Sequence, residues 1–297
     1  MVAGIAKPHH TICIATCLTT QPLVDSPVYS LSANFFDRQL TDSLKTLMNR
    51  KGQLMWLRAC LNGPRPIGSH PALPTTPSEL AREAQRAIDA GAVALHIHPR
   101  AVNGKETLEP HHLAATLNAL REACPGIPLE VSTAAWIEKD VGRRLAFVRS
   151  WNELPDSAGV NFGEEGAVEL ATTLFARGIG VEAGIFSVDD AQRLIAAGLA
   201  PQCHHVQIEP ILTQNISKAL STAQAIERVL DEAGVTTPRL LHGKDATAWP
   251  MLAYAITQGY ATRIGLEDTL LLPSGARAYD NADLIRTALS YVTSQAK

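Results

Sequence analysis

The sequence predicts a (β/α)8 barrel, a fold in which eight parallel strands alternate with eight helices. Short apolar runs alternate with amphipathic segments from residue 54 to residue 297, and this cycle repeats eight times. That length and that number of repeats are those expected of the barrel, and polar residues stand where the apolar runs end. An open doubly wound sheet is the alternative, but it would usually carry a glycine-rich dinucleotide loop after its first strand, and the segment Asn62–Pro66 is not such a loop.

The first strand and the first helix have clear signals. The apolar run Leu54–Leu61 predicts a buried strand. Thr76 is placed to cap a helix, Pro77 fits the first helical position, and Glu79 completes the pattern of a capping box. Gly91 then ends the helix.

The other strands and helices follow the same cycle. We expect strands at 92–98, 127–133, 158–161, 180–185, 204–208, 239–242 and 262–265. We expect helices at 110–123, 143–151, 167–177, 188–197, 216–233, 249–258 and 280–293. Because no linker interrupts this series, residues 51–297 are expected to form one catalytic domain.

Composition excludes several classes of protein. The chain has 297 residues, with 26 Lys and Arg against 29 Asp and Glu, so it lacks the basic surplus of a nucleic-acid-binding protein. No apolar run is long enough to cross a bilayer, which argues against an integral membrane protein. The five cysteines are odd in number and scattered, which indicates reduced thiols and a cytoplasmic location.

Residues 1–50 differ from the rest of the chain. They show no sustained strand or helix period, and they match neither a secretory signal nor a transit peptide. We expect a poorly ordered extension. An alternative hypothesis is that Met48 is the true start, because Asn49-Arg50-Lys51 leads directly into the first strand.

A metal site is indicated where the predicted strands end, which is where barrel active sites lie. His96 and His98 close the second strand, and alternate residues of a strand share one face. Glu267 follows the eighth strand and can reach the same mouth. Two histidines and one carboxylate leave an open coordination position, which is the pattern of a catalytic Zn²⁺ site. The alternative for the two histidines is a buried hydrogen-bonded pair.

Further polar residues follow the other strands. An arginine beside a cation needs an anionic partner, so we expect Arg100 and Arg263 to face either Asp268 or a substrate carboxylate. Helix capping is the competing interpretation for Ser132, and a satisfied core histidine is the competing one for His205. Thr133, Asn161 and Glu182 are further polar residues in or at the end of predicted strands.

The chain resembles the β-keto acid cleavage enzymes, the family that includes 3-keto-5-aminohexanoate cleavage enzyme. The resemblance lies in an ordered set of motifs that together are specific, although each alone is weak. They are Ala59–Gly63, Pro71–Pro77, Ala90–Ala92, His96–Arg100, Val131–Thr133, Val160–Gly163, Val181–Gly184 and Arg263–Asp268.

The resemblance implies a reaction and its residues. It implies one Zn²⁺ per chain on His96, His98 and Glu267, and acetyl-CoA as the co-substrate of a small β-keto acid, with acetoacetate and a new acyl-CoA as products. Asp268 would be the base that generates the carbon nucleophile, and Arg263 would keep it ionised. Ser132 and Thr133 would bind the substrate carboxylate. The other expected substrate-binding residues are Asn161, Glu182, Arg65 and Arg100. A homo-oligomer, either dimer or tetramer, is expected by analogy.

Two positions depart from the family pattern. An acidic residue that suits a substrate ammonium is replaced here by Gly63-Pro64-Arg65, and a second strand-five glutamate is replaced by Gly184. Both changes remove negative charge, so we expect a substrate whose far end is neutral or anionic, and Arg65 is the candidate residue that binds this end. The alternatives are a metal-dependent hydrolase or aldolase with His205 or His242 as extra ligands, and a ligand-binding barrel without catalysis.

Overall fold

Eight parallel strands surround one axis in the computed structural model, which describes the backbone of residues 56–295 and the side chains of residues 56–291. Each strand pairs with its neighbour in sequence, and β1 also pairs with β8. Backbone hydrogen bonds from Leu241 to Ala261 (3.0 Å) and from Ala261 to Arg239 (3.0 Å) join β7 to β8. The strands are β1 Leu57–Cys60, β2 Ala94–Ile97, β3 Leu129–Ser132, β4 Ser157–Asn161, β5 Gly180–Ile185, β6 His205–Ile208, β7 Arg239–Leu241 and β8 Thr262–Ile264. The predicted (β/α)8 barrel is therefore confirmed.

Eight helices follow the strands in alternation, and their apolar faces pack on the outside of the barrel. Two short 3₁₀ turns, Ala200–Gln202 and Asp245–Thr247, interrupt the cycle. The helices are α1 Pro77–Asp89, α2 Pro110–Ala123, α3 Val141–Ser150, α4 Ala167–Ala176, α5 Val188–Ala196, α6 Ile216–Glu232, α7 Ala248–Gln258 and α8 Asn281–Gln295. Most observed strands are shorter than predicted at one or both ends.

The start of α1 carries the predicted capping box. The Thr76 hydroxyl accepts a hydrogen bond from the backbone N–H of Glu79 (3.3 Å), and the Glu79 carboxylate accepts one from the N–H of Thr76 (3.0 Å). Pro77 lies in the first turn. These contacts satisfy donors that a helix N-terminus leaves free, so the local sequence fixes where α1 begins.

The barrel interior contains a network of charged side chains. Arg58 of β1, only 1% exposed, pairs with Glu130 of β3 and with Glu182 of β5 (3.0 Å). Glu182 also lies 3.1 Å from the ring of His205 and accepts a hydrogen bond from Gln207 (3.2 Å). Buried charges are tolerated when they are paired in this way, and removing one partner is costly.

The predictions for residues 1–50, including the Met48 start, lie outside the described residues. Within residues 56–295, no helix is both long and apolar enough to span a membrane.

Candidate active site

Three buried side chains bring potential metal ligands together, as the sequence predicted. The Nε2 atoms of His96 and His98 lie 2.9 Å apart, and the Glu267 carboxylate lies 3.3 Å from the first and 3.6 Å from the second. Ligand atoms about 2.1 Å from one ion at tetrahedral corners would lie about 3.4 Å apart. Oε2 of Glu267 is buried without a hydrogen-bond partner in the described structure, and a cation would satisfy it.

The fold explains why these three residues meet. His96 is in β2, opposite Cys60 of β1, and β1 has β8 on its other side. Glu267 follows β8 after a short turn, and its N–H donates to the carbonyl of Cys60 (3.2 Å). Gly63 allows the approach: its φ is +57°, and a Cβ there would come within 2.3 Å of Glu267 Cγ. A glycine is thus needed for both the turn and the close contact.

Two further carboxylates lie beside the outer nitrogens of the histidine rings. Nδ1 of His96 lies 3.1 Å from Glu130, and Nδ1 of His98 is hydrogen-bonded to Glu106. The Asn62 side chain also binds the backbone N–H (3.0 Å) and carbonyl (2.9 Å) of His98. Carboxylates that hold Nδ1 orient Nε2 towards a metal, and this is common around metal-binding histidines.

Glu106 and Glu130 were not among the predicted site residues. Glu106 lies in the loop after β2, and Glu130 lies within β3 rather than at its end. One signal was present in the sequence, because Glu130 is two residues before Ser132 and so shares its inward face.

The charges of this cluster favour a cation. Burial alone would lower the pKa of His96, but Glu267 and Glu130 outweigh it and raise the pKa to about 9. Burial alone would raise the pKa of Glu267, but Arg263 and the two histidines hold it well below its ordinary value. A divalent cation would replace the protons that the histidines otherwise carry.

Asp268 lies next to Glu267 and is paired with Arg263. The guanidinium donates to Oδ1 of Asp268 from Nη2 (2.8 Å) and Nε (3.2 Å), and Nη2 also donates to Glu267 (2.7 Å). Burial would raise the pKa of Asp268, but Arg263 and His242 hold it below its ordinary value. Its Oδ2 has no hydrogen-bond partner in the described structure. Asp268 is therefore an ionised carboxylate with one oxygen free.

His242 connects Asp268 to another acid. Its Nδ1 lies 3.4 Å from Oδ1 of Asp268, and its Nε2 lies 3.0 Å from Glu209. Gly184 makes room for Glu209, because a Cβ at that position would lie 3.0 Å from Oε1 of Glu209 and 2.5 Å from Oδ1 of Asn161. The negative charge that Gly184 does not supply is thus present in the adjacent Glu209.

The predicted substrate-binding hydroxyls differ in their availability. The Thr133 hydroxyl donates to the carbonyl of Gly159, whereas the Ser132 oxygen only accepts a hydrogen bond from Ala134 (3.4 Å). Ser132 therefore keeps a free hydroxyl hydrogen for a substrate. The Asn161 amide donates to Glu164 (2.8 Å), which leaves its Oδ1 available. Binding of substrate by these residues stays a prediction.

Three other predicted substrate-binding residues are already engaged. Arg100 donates to the carbonyls of Gly63 (2.8 Å), Gly104 (3.0 Å) and Arg65 (2.7 Å), although it was expected to face an anion. Glu182 belongs to the interior network with Arg58. Arg65 pairs with Asp245. The roles predicted for Arg100, Glu182 and Arg65 also stay predictions.

Two histidines considered as extra ligands, His205 and His242, lie outside the cluster. His205 pairs with Glu182 and stacks on Trp56, and His242 pairs with two acids, so neither joins the three candidate ligands. A second group, Glu109 with His111 and His112, has ligand-type atoms close together, but His111 is 69% exposed.

The sequence of the chain is similar to those of known proteins. Residues 55–295 match the family model described as beta-keto acid cleavage enzyme. The 3-keto-5-aminohexanoate cleavage enzyme of Fusobacterium nucleatum subsp. nucleatum is 27% identical over 229 residues, covering 73% of this chain and 82% of that protein. The 3-oxoadipate:acetyl-CoA acetyltransferase of Cupriavidus necator is 28% identical over 241 residues, covering 73% and 80%.

Solved structures support the fold. ObcA in binary complex with oxaloacetate superposes with a TM-score of 0.59 at 14% identity, covering 73% of this chain and 62% of that chain. At this identity the likeness concerns the barrel alone. The match to the family model spans most of the chain, and we conclude that the chain belongs to the beta-keto acid cleavage enzyme family.

Proposed function

We propose that the chain is a zinc-dependent acyltransferase that converts a β-keto acid and acetyl-CoA into acetoacetate and a new acyl-CoA. One observation carries the proposal: the ionised Asp268, with a free oxygen, is adjacent to Glu267 in a buried group that can hold a divalent cation. The name of the Cupriavidus necator relative, an acetyl-CoA acetyltransferase, supports the choice of co-substrate.

Zn²⁺ fits the donor set best. Two imidazole nitrogens and one carboxylate oxygen with an open position are typical of catalytic zinc sites. A hard cation such as Mg²⁺ would prefer oxygen ligands only. When bound, the ion would polarise the keto and carboxylate oxygens of the substrate and so make the proton on the carbon between them more acidic.

The side chains near the candidate metal site have separate roles in the proposed reaction. Oδ2 of Asp268 takes the proton from C2 of the β-keto acid, and Arg263 keeps the carboxylate ionised by donating two hydrogen bonds to Oδ1. C2 then bonds to the acetyl carbonyl carbon, and CoA leaves as the thiolate. The thiolate attacks the original acyl carbonyl carbon, the bond from that carbon to C2 breaks, and the electron pair left on C2 takes the proton back from Asp268, which gives acetoacetate and the new acyl-CoA. The free hydroxyl hydrogen of Ser132 is available for the substrate carboxylate.

We propose that the far end of the substrate is neutral or anionic. The loop Gly63-Pro64-Arg65 supplies no acid for an ammonium group. Lys244, two residues after His242, forms no ion pair within the described residues, so its charge is available to a second carboxylate, whereas Arg65 is paired with Asp245. The named substrate of the Cupriavidus necator relative is the dicarboxylate 3-oxoadipate, which supports this direction.

The proposal also covers assembly and location. We propose a homo-oligomer, dimer or tetramer, by analogy with the family, with small molecules as its binding partners. The free, buried thiols of Cys60, Cys124 and Cys203 are consistent with a reducing compartment, so we propose the cytoplasm.

The decisive experiment combines metal analysis with a screen for new CoA thioesters. Purified protein is analysed for metal and incubated with acetyl-CoA and β-keto acids with anionic, neutral or cationic far ends. We expect one tightly held zinc per chain, and acetoacetate together with a new thioester. A His111→Ala/His112→Ala variant controls for metal on the exposed group. Turnover without CoA would contradict the proposal and favour a hydrolase or aldolase.

A second experiment tests the proposed preference for a neutral or anionic group at the far end of the substrate. With Lys244→Met, we expect kcat/KM to fall for anionic substrates and to stay unchanged for neutral ones. A wild-type preference for the cationic amino acid substrate would refute the proposed specificity.

A further inference from the structure

The segment Leu266–Asp268 carries both a candidate metal ligand and the candidate base, and its backbone is held from outside. The N–H of Leu266 donates to the Asn281 side chain (2.9 Å), and the N–H of Glu267 donates to the carbonyl of Cys60 (3.2 Å). These contacts fix one side of the segment. Its three carbonyls need other donors.

Arg65 and Asp245 supply those donors. Nε of Arg65 shares its hydrogen between the carbonyls of Leu266 (3.1 Å) and Glu267 (3.2 Å), and it is the only donor to either carbonyl within residues 56–295. The backbone N–H of Asp245 donates to the carbonyl of Asp268 (2.6 Å). An ion pair between the Arg65 guanidinium and the Asp245 carboxylate closes the ring of contacts.

The backbone of Asp245 is strained at this point. Its φ is 51°, and no other non-glycine residue of the described chain has a positive φ. Such a conformation costs free energy and persists only where the surrounding contacts impose it. Here the conformation directs the N–H of Asp245 to Asp268 and its carboxylate to Arg65.

We propose that Arg65 and Asp245 form a clamp that positions the Glu267 carboxylate and the Asp268 base. The clamp joins the loop after β1 to the loops after β7 and β8. Arg65 and Asp245 are positioning residues, which act on the backbone of the site rather than on the substrate. The proposal rests on the proposed function for the role of Asp268, but the effect on Glu267 requires only that a metal binds.

The test distinguishes the clamp from the alternative in which Arg65 binds the far end of the substrate. Arg65→Gln, Asp245→Ala and the double variant are compared for zinc release to a chelator, and for kcat and KM on β-keto acids with neutral and anionic far ends. Arg277→Gln is the matched control, because Arg277 also donates to a loop carbonyl, that of Ser69 (2.7 Å), but does not touch the segment.

A clamp predicts zinc affinity about 10-fold lower in either single variant, with kcat falling alike on both substrates. The double variant should be little worse than the single ones, because the two residues act as a unit. Arg65→Lys keeps the positive charge but loses the several N–H donors of the guanidinium, so its zinc affinity should lie between those of the wild type and Arg65→Gln. This variant keeps the test valid if Arg65→Gln misfolds.

If zinc affinity were unchanged and the only effect were a higher KM for the anionic substrate, the clamp would be wrong and Arg65 would instead be a residue that binds the substrate. Because zinc release is measured without turnover, failure of the proposed acyl exchange would leave this test intact.

Discussion

The Glu106 carboxylate is hydrogen-bonded to Nδ1 of His98, and this contact directs Nε2 of the same ring towards His96 and Glu267. Glu106→Gln should therefore weaken zinc binding about 10- to 100-fold, because the ring loses a charged partner that fixes its orientation. Competition with a chromophoric chelator measures the affinity. Glu109→Gln, in the exposed histidine group, is the control and should leave the tight site unchanged.

Glu130 offers a matched substitution on the other histidine. Glu130→Gln should also lower zinc affinity. It additionally removes one of the two charge partners of the buried Arg58, which keeps Glu182, so the free energy of unfolding should fall by about 1–3 kcal/mol. Denaturant unfolding of the metal-free protein measures that second effect. A variant as stable as the wild type would show that Arg58 does not depend on Glu130.

Asp268→Asn should separate catalysis from metal binding. We expect kcat to fall about 10²- to 10⁴-fold, because the amide cannot accept the proton from C2, while zinc content stays near wild type. His96→Ala should lose both zinc and turnover. Near-normal rates in Asp268→Asn would show that another group is the base.

Gly63→Ala should damage the site through contact with Glu267. The new Cβ would lie 2.3 Å from Glu267 Cγ at a φ of +57°, so both zinc affinity and the free energy of unfolding should fall. Gly68→Ala is the control, because Gly68 has a φ of +82° with nothing within 4 Å of the added Cβ. It tests backbone strain alone, which costs about 1–3 kcal/mol. Equal zinc affinity in the two variants would exclude the contact with Glu267 as the cause.

The stability of the protein should fall at high pH partly through Cys203. Burial, with a smaller contribution from Glu182, raises the pKa of this thiol to about 12. In the unfolded chain the thiol has its ordinary pKa near 9, so its ionisation stabilises the unfolded state as the pH rises above about 9. The free energy of unfolding therefore decreases with pH until the folded thiol also ionises, near pH 12. At pH 10.5 the resulting decrease in the free energy of unfolding is about 2 kcal/mol. Cys203→Ala should show a shallower decline in the free energy of unfolding between pH 9 and 10.5, and an unchanged slope would contradict this account.

The order of the strands and helices could be predicted from the sequence because it depends on local patterns. The capping box at Thr76 and Glu79, for example, involves only neighbouring residues. His96, His98 and Glu267 could be placed at one mouth because the ends of parallel strands meet there.

The interior of the site could not be read in the same way. Arg58 and Glu130 are 72 residues apart, and their pairing depends on how the barrel closes. The hydrogen bonds of Arg65 and Arg100 with loop carbonyls could not be predicted, because a sequence does not reveal which loops lie within reach of a side chain. Glu130 was missed because it lies before the end of its strand.

The junction of β7 and β8 has a consequence for how the protein loses activity on heating. Few backbone hydrogen bonds join these two strands, and the contacts of Asp268 with His242 and Asp245 cross the same junction. Local separation of the two strands would therefore displace the base while most of the barrel stays intact. Thermal inactivation should precede loss of helical signal, and the amides of Leu241 and Ala261 should exchange with solvent deuterium earlier than those between β2 and β3.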